Sequence, residues 1–232
     1  MNNHLYAGYC LADKGDSIWR LGRYQEARDA LAQASAIANQ DDKIKRLLAK
    51  IVLIETNLAL SERRFPVARS KARQALSLNH KTEHEVDAKY LLGMALASSG
   101  MTREGRALCE QAVEAARHMH DPQMLPSALL ALAEVMLEGG DAQRALAAAL
   151  EAQEMLTRVG RQESEWRALL VAARASERAG NSAIAGEYLS KANSILAELE
   201  NKWGTQAFYV YLSRPDVQSS RLYLDQKLDI KK

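Results

Sequence analysis

Residues 129–156 read LLALAEVMLEGGDAQRALAAALEAQEML, two apolar-periodic segments parted by Gly139, Gly140 and Asp141. In the first segment Leu129, Leu132, Ala133, Met136 and Leu137 recur at spacings of three and four, the period of a helix that buries one face. The second answers with Ala145, Ala149, Ala152 and Leu156. Gly140 permits the positive φ at which a first helix stops, and the Asp141 carboxylate can accept from the free amides that open the next. Small side chains at 145, 149 and 152 let two helix axes approach closely. The stretch is predicted to be a helical hairpin.

The same punctuation recurs along the chain. Gly22, Gly100, Gly140 and Gly180 are each followed five residues later by a small residue, Ala27, Gly105, Ala145 and Ala185, at glycine spacings of 78, 40 and 40. A degenerate unit belongs midway through the longer gap, and Arg63 with Ala68 stands there, keeping Phe65 where the first unit has Tyr24. Seven residues before each turn lies Gly15, Thr56, Gly93, Ala133 or Ala173. Five units with a period near 40 follow, over about 8–40, 45–80, 84–119, 123–158 and 162–199, within a repeat body of 1–200. The tail, 201–232, reads differently. Trp203, Phe208, Tyr209, Tyr211 and Leu212 suggest an aromatic-rich helix, Ser213-Arg214-Pro215-Asp216 a break, and Val217, Leu224 and Leu228 a last helix. A solenoid exposes apolar surface at its end, so the tail is expected to cap the last repeat. Met1 begins almost directly in the first helix, which suits a piece of something larger.

Composition agrees. The 232 residues are 47% hydrophobic and 26% charged, with 39 alanines, 4 prolines and 6% aromatics, which is helix-former chemistry. The expected fold class is all-α. A formal net charge of +2 supplies no global field towards nucleic acid or an anionic membrane. No apolar run nears the ~20 residues a membrane span needs. Cys10 and Cys109 lie far apart in helical patterns, as reduced thiols of a cytoplasmic protein would.

Gly15, Ile18, Gly22, Tyr24, Ala27, Leu31 and Ala34 resemble one tetratricopeptide repeat, and Leu92, Gly93, Leu96, Gly100 and Ala112 another. The resemblance covers roughly residues 8 to 200 and implies a right-handed α-solenoid of about five helical hairpins with C-terminal capping helices, acting as a protein- or peptide-binding module rather than an enzyme. The units exceed the ~34 residues usual in that family, and its closing proline is replaced at Asn39, His80, Arg117 and near Thr157. Longer units resemble those of large bacterial signalling proteins and LuxR-type transcription activators. That resemblance leaves two readings: a scaffold or regulatory arm of a signalling or transcription-regulatory protein, and the ligand-sensing domain of a transcription activator.

Catalytic chemistry finds no constellation. There is no glycine-rich phosphate loop after a strand and no serine elbow. His80 and His84 in one loop, with His118 and His120 in the next, lack ligand spacing and a cysteine partner, so no metal is expected and the histidines read as exposed. Cys109 falls at the position of Ala149, where packing explains it. Glu163 and Glu165 read as exposed carboxylates at a helix start. No cofactor is expected.

In the tetratricopeptide family the first helix of each hairpin lines the concave surface. The resemblance places Ala12, Leu53, Tyr90, Leu130 and Leu170 in one inward row, and Asp16, Asn57, Met94, Glu134 and Arg174 in another. Members that grip C-terminal carboxylates use lysine, arginine and asparagine there, and only Asn57 fits; Lys50 and Arg174 stand apart. The first row is an apolar stripe and the second its polar border, as an amphipathic helix or extended peptide would meet. The alternative is that tight curvature packs the stripe on itself. Charge is uneven as well: residues 45–73 carry a surplus of six bases and residues 129–165 of four acids. The basic patch lacks the aromatic interleaving of a nucleic-acid surface. It reads first as a solvated helix face, the alternative being a docking face for an acidic partner or, through basic and acidic ends, a second copy of the chain.

Overall fold

A computed structural model of the chain describes residues 2–38, 45–78, 83–119 and 121–229. Its described residues form α-helices and no strand. Five hairpins run in order: α1 (Asn2–Arg20) with α2 (Tyr24–Ala38), α3 (Lys45–Ser61) with α4 (Phe65–Leu78), α5 (Glu83–Ala97) with α6 (Thr102–Arg117), α7 (Met124–Glu138) with α8 (Ala142–Arg158), and α9 (Gln162–Arg178) with α10 (Ser182–Trp203). Two further helices, α11 (Thr205–Leu212) and α12 (Pro215–Lys227), complete the chain. Each hairpin stacks on the next, and α1, α3, α5, α7 and α9 also touch in series along one side. This is the all-α solenoid of tetratricopeptide-like hairpins.

One turn closes all five hairpins. Gly100 N–H donates to the Ala97 carbonyl and Met101 N–H to the Leu96 carbonyl, both at 2.9 Å, and the same pair of bonds recurs at residues 22, 63, 140 and 180. The residue at the turn takes positive φ, 84° at Gly22, 85° at Gly100, 83° at Gly140 and 83° at Gly180, and Arg63 adopts 59° in the unit that lacks the glycine. Two spent helix carbonyls are satisfied this way, whatever the side chain. Asp141 caps α8, accepting from Arg144 N–H at 3.3 Å. Asn181 makes no such side-chain bond at the start of α10.

The small residues set the helix spacing. A Cβ on Gly93 would lie 2.5 Å from Cys109 Sγ and 2.6 Å from the Gly105 carbonyl oxygen, and one on Gly105 would lie 2.4 Å from the Gly93 carbonyl oxygen. Helices α5 and α6 therefore cross backbone to backbone, a contact closed to any larger residue. Ala145, Ala149, Ala152 and Cys109 are fully buried at such contacts, and burial pushes the Cys109 thiol up to about 12. Apolar clusters follow one another through the stack: one joins α1, α2 and α3, another α3, α4 and α5, a large one α5 to α9, and a last one α9 to α12.

The tail caps the last hairpin, as expected, and also reaches beyond it. Trp203 is the last residue of α10, not part of the aromatic helix. Helix α11 does bury Phe208 and Tyr211 against the last hairpin, leaving Tyr209 exposed. Helix α12, opened by Pro215 with Arg214 at its N-cap, packs on α9 and α10 and also reaches α3. The solenoid curls far enough for its last unit to meet its first. Among the described residues, no helix is long and apolar enough to cross a membrane.

Candidate functional site

The curl leaves a chamber of about 540 Å³ that is partly open to solvent. Seven of the ten residues placed on the concave rows line it: Asn57, Tyr90, Met94, Leu130, Glu134, Leu170 and Arg174. Leu170 is buried as well, while Tyr90, Met94 and Leu130 are half-buried, each with one side in the core and one towards the chamber. Ala12 and Leu53 do not line it; they lie in the apolar clusters of the first two units. The apolar stripe thus packs on itself in units one and two and faces an open volume in units three to five. Asp16 is taken up locally, accepting from Trp19 Nε1 at 2.9 Å and Arg20 Nε at 3.0 Å.

The side of the chamber facing the first unit is built from residues that periodicity does not single out. Arg214 is 1% exposed. Its Nη1 donates to the carbonyl of Arg20, the last residue of α1, at 2.8 Å and to Glu163 Oε1 at 3.0 Å. Its Nε and Nη2 grip both oxygens of Asp216, at 3.1 and 2.8 Å. The guanidinium lies 4.9 Å from the Trp19 ring and 5.3 Å from the Tyr211 ring. Four of the five N–H donors of this fork are used, as a buried cation requires. Arg167 adds a second fork, to Asp216 at 2.9 Å and to Glu134 at 3.9 Å. Burial alone would raise the Asp216 carboxyl, yet Arg167 and Arg214 together hold it below its ordinary range. Glu134 goes the other way: burial raises it, and a distant Arg167 does not compensate.

Further round the wall, Arg174 stacks 4.4 Å from the Tyr223 ring. Tyr223 OH donates to Glu177 at 2.7 Å, and Lys227 reaches the same carboxylate at 2.7 Å. Arg161 Nη1 donates to Ser127 Oγ at 3.2 Å beside Tyr90. Burial, then Asp87, push the Tyr90 phenol well above its ordinary value, so it stays a neutral hydroxyl. The chamber thus offers aliphatic and thioether surface beside guanidinium, carboxylate and hydroxyl groups, a lining suited to a ligand with an apolar body and several polar groups.

Two carboxylates expected to be solvated are not. Glu163 bridges Arg214 and Arg20, and Glu165 is buried, accepting from Thr157 Oγ1 at 2.5 Å and Gln153 Nε2 at 3.0 Å. Lys50 pairs with Asp13 at 2.5 Å. His118 ends α6 beside Glu114 at 3.1 Å, and His84 lies in α5, whereas His80, His120 and Asn39 fall outside the described residues. Among the described residues no group of three or more histidine, cysteine, aspartate or glutamate side chains could hold a metal ion.

No protein-family model matches the chain, and no curated protein does. Solved structures show the fold. A Rap protein complexed with competence and sporulation factor superposes with a TM-score of 0.73 at 14% identity, over 95% of this chain and 64% of that one. The apo form of RapI gives 0.63 at 14% identity, over 95% of this chain and 84% of that one. The tetratricopeptide-like repeats of a putative Podospora anserina kinesin light chain give 0.59 at 17% identity, over 87% and 99%. The chain spans 64% of the length of the first of these.

Proposed function

We propose that this chain is a non-enzymatic binding module that takes a segment of a protein or a short peptide into its central chamber. The observation that carries the reading is the chamber itself. Tyr90, Met94 and Leu130 keep one face towards about 540 Å³ of open volume instead of closing on one another. Aromatic and aliphatic anchors in such a place dominate binding energies. The similarity to a Rap protein complexed with competence and sporulation factor supports the same reading. Residues 1–200 form the binding body and 201–232 complete its wall. The module serves as scaffold or regulatory arm of a larger signalling or transcription-regulatory protein of the cytoplasm. One observation favours the second reading, a ligand-sensing domain of a transcription activator: the chamber's volume lies within the 300–1,000 Å³ typical of small-molecule sites.

Selection from a randomised heptapeptide library on wild-type protein, and on Leu130→Trp with the chamber filled, tests the proposal. Peptides enriched on wild type and lost on Leu130→Trp support it. Enrichment that survives Leu130→Trp places binding elsewhere, and failure to enrich any peptide while small molecules raise Tm favours the sensor.

A further inference from the structure

The charged lining of the chamber is unevenly paired. Among its carboxylates, Glu134, Glu163, Glu177 and Asp216 each have an arginine or lysine within ion-pair distance, and Glu138 has none among the described residues. The guanidiniums run the other way: Arg63, Arg161, Arg174 and Arg178 all line the volume, and none forms an ion pair with a described residue. The lining is left with a surplus of unpaired positive charge, which a concave site focuses on whatever enters. Arg63 and Arg178 are exposed and act on Glu138, Arg178 also donates to the Leu137 carbonyl, and Arg161 donates to Ser127. Arg174 is different. It is half-buried and makes no hydrogen bond to any described residue. Glu134 and Glu177 are near enough to be felt but do not pair with it; Glu134 lies by Arg167, and Glu177 is taken up by Tyr223 and Lys227. What holds Arg174 is the Tyr223 ring, 4.4 Å away, itself fixed by its bond to Glu177.

We infer that Arg174 sets the specificity of the chamber for an acidic peptide: its fork receives the carboxylate of an aspartate or glutamate side chain while Met94 and Leu130 take an apolar residue beside it. This deepens the peptide reading and rests on it. A carboxylate matches the parallel N–H bonds of a guanidinium, and such charged pairs are the strong ones. Stacking on Tyr223 holds the arginine in place before a ligand arrives, so less freedom is lost when the pair forms. Solvent reaching the partly open chamber keeps the unpaired cation tolerable until then. A terminus gripped from several units fits less well, because the Asn57 amide donates to the Leu53 carbonyl at 3.2 Å and Lys50 is paired with Asp13. The site is also composite. Arg174 comes from the fifth hairpin and Tyr223 from α12, so the tail completes the ligand surface as well as the stack.

A heptapeptide library displayed with its C-termini joined to the coat protein carries no free terminal carboxylate, and selection on wild-type protein should enrich aspartate or glutamate at one position. An enriched peptide, synthesised as its C-terminal amide, should bind about ten-fold or more weaker when that acid is replaced by asparagine or glutamine. On Arg174→Gln the same replacement should cost less than about two-fold, while on Arg161→Gln, which removes the other half-buried unpaired guanidinium, the loss should persist. If Arg174→Gln does not fold, Arg174→Met, which keeps a side chain over Tyr223, takes its place with the same expectation. Enrichment without an acidic position overturns the inference and leaves the peptide reading standing. So does a loss that is equal on wild type and the Arg174 variant, or one that disappears on Arg161→Gln instead. If peptides bind only from a second library with free C-termini, the ligand group is a terminus and the assignment to a side chain falls. Failure of both libraries to yield any binder overturns the peptide reading and this inference together.

Discussion

The α5–α6 crossing and the seam between the first hairpin and the α11–α12 junction hold the same molecule together by opposite means. At the crossing, Gly93, Gly105 and Cys109 bring two backbones into contact with no charged side chain involved, the Cys109 thiol donating only a weak bond to the Tyr90 carbonyl at 3.7 Å, and what holds them is shape. At the seam, a guanidinium 1% exposed and 194 positions in sequence from its acceptor carbonyl satisfies itself on one carbonyl and two carboxylates. Close packing has no weak direction and yields only with the whole stack. A polar latch is strong while complete, but losing one member strands the others.

The largest expected effect is at the latch. Arg214→Ala removes the cation from Glu163 and the Arg20 carbonyl and leaves Asp216 to Arg167 alone. Breaking a buried pair in this way typically costs about 3–5 kcal/mol. Hydrogen exchange should show the loss concentrated in α11 and α12, with α5 to α8 retaining protection. Uniform deprotection of all helices would show that the seam and the stack are one cooperative unit. Arg214→Lys should not rescue, because an ammonium cannot reproduce the fork.

Ala145→Leu attacks the other kind of contact. Ala145 is fully buried where α8 meets its neighbours, and forcing a larger side chain into a close contact costs about 1–3 kcal/mol. Here protection should fall throughout the stack, the converse of Arg214→Ala. Glu151→Ala on the same helix serves as control: its partner Arg117 lies 3.4 Å away in solvent, and Tm should barely move.

The repeats were legible because close packing leaves a periodic trace. The small residues before and after each turn mark the crossings, and the turn itself is visible as Gly22, Gly100, Gly140 and Gly180, with Arg63 recoverable from spacing alone. The same register places seven residues that line the chamber, down to Glu134 and Arg174, but the larger part of the wall comes from residues it does not single out. Ala12 and Leu53 were placed on the concave side by the same count but lie in the core, because register says which way a residue points and not how tightly neighbouring units curl. The seam was illegible for a related reason. Arg214 sits outside the repeats in what reads as a helix break, and its partners Arg20 and Glu163 become neighbours only through the sum of four inter-unit rotations. The one available trace was Pro215-Asp216 at a helix start, which announces a cap and says nothing of a distant arginine.

Acid separates the two regions as well. Asp216 titrates below an unfolded aspartate, near 3.9, because Arg167 and Arg214 outweigh its burial. Its contribution is therefore present above about pH 4 and is lost as pH falls through its folded value. Glu134 and Glu138 are raised by burial, so they weigh against the fold near neutrality and that penalty fades as the medium acidifies. From pH 7 to 5 the seam should hold while stability stays level or rises slightly. Below pH 4, exchange in α12 should increase first. A seam that loosens between pH 7 and 5 would mean that Asp216 is not held by its two arginines.

The smallest effect expected is a gain. Arg63 occupies the turn position at φ 59°, where a residue with a Cβ is strained by about 1–2 kcal/mol relative to glycine. The turn's bonds run from the backbone, Arg63 N–H to Leu60 at 2.9 Å and Arg64 N–H to Ala59 at 2.8 Å, so they survive any substitution. Arg63→Gly removes the strain but frees the unfolded chain, which takes back about 0.4–1 kcal/mol, and it loses the stacking of the guanidinium 5.6 Å over Phe65, worth about 0.5–1 kcal/mol at an exposed site. These terms nearly cancel. Strain has the larger upper limit, so Arg63→Gly should raise stability by no more than about 0.5 kcal/mol, read as a shift of the urea midpoint at unchanged slope. A clear loss would mean that Arg63 contributes more through its side chain than its backbone costs, and the one unit without a turn glycine would then owe its departure from the repeat to the chamber wall that Arg63 helps to line.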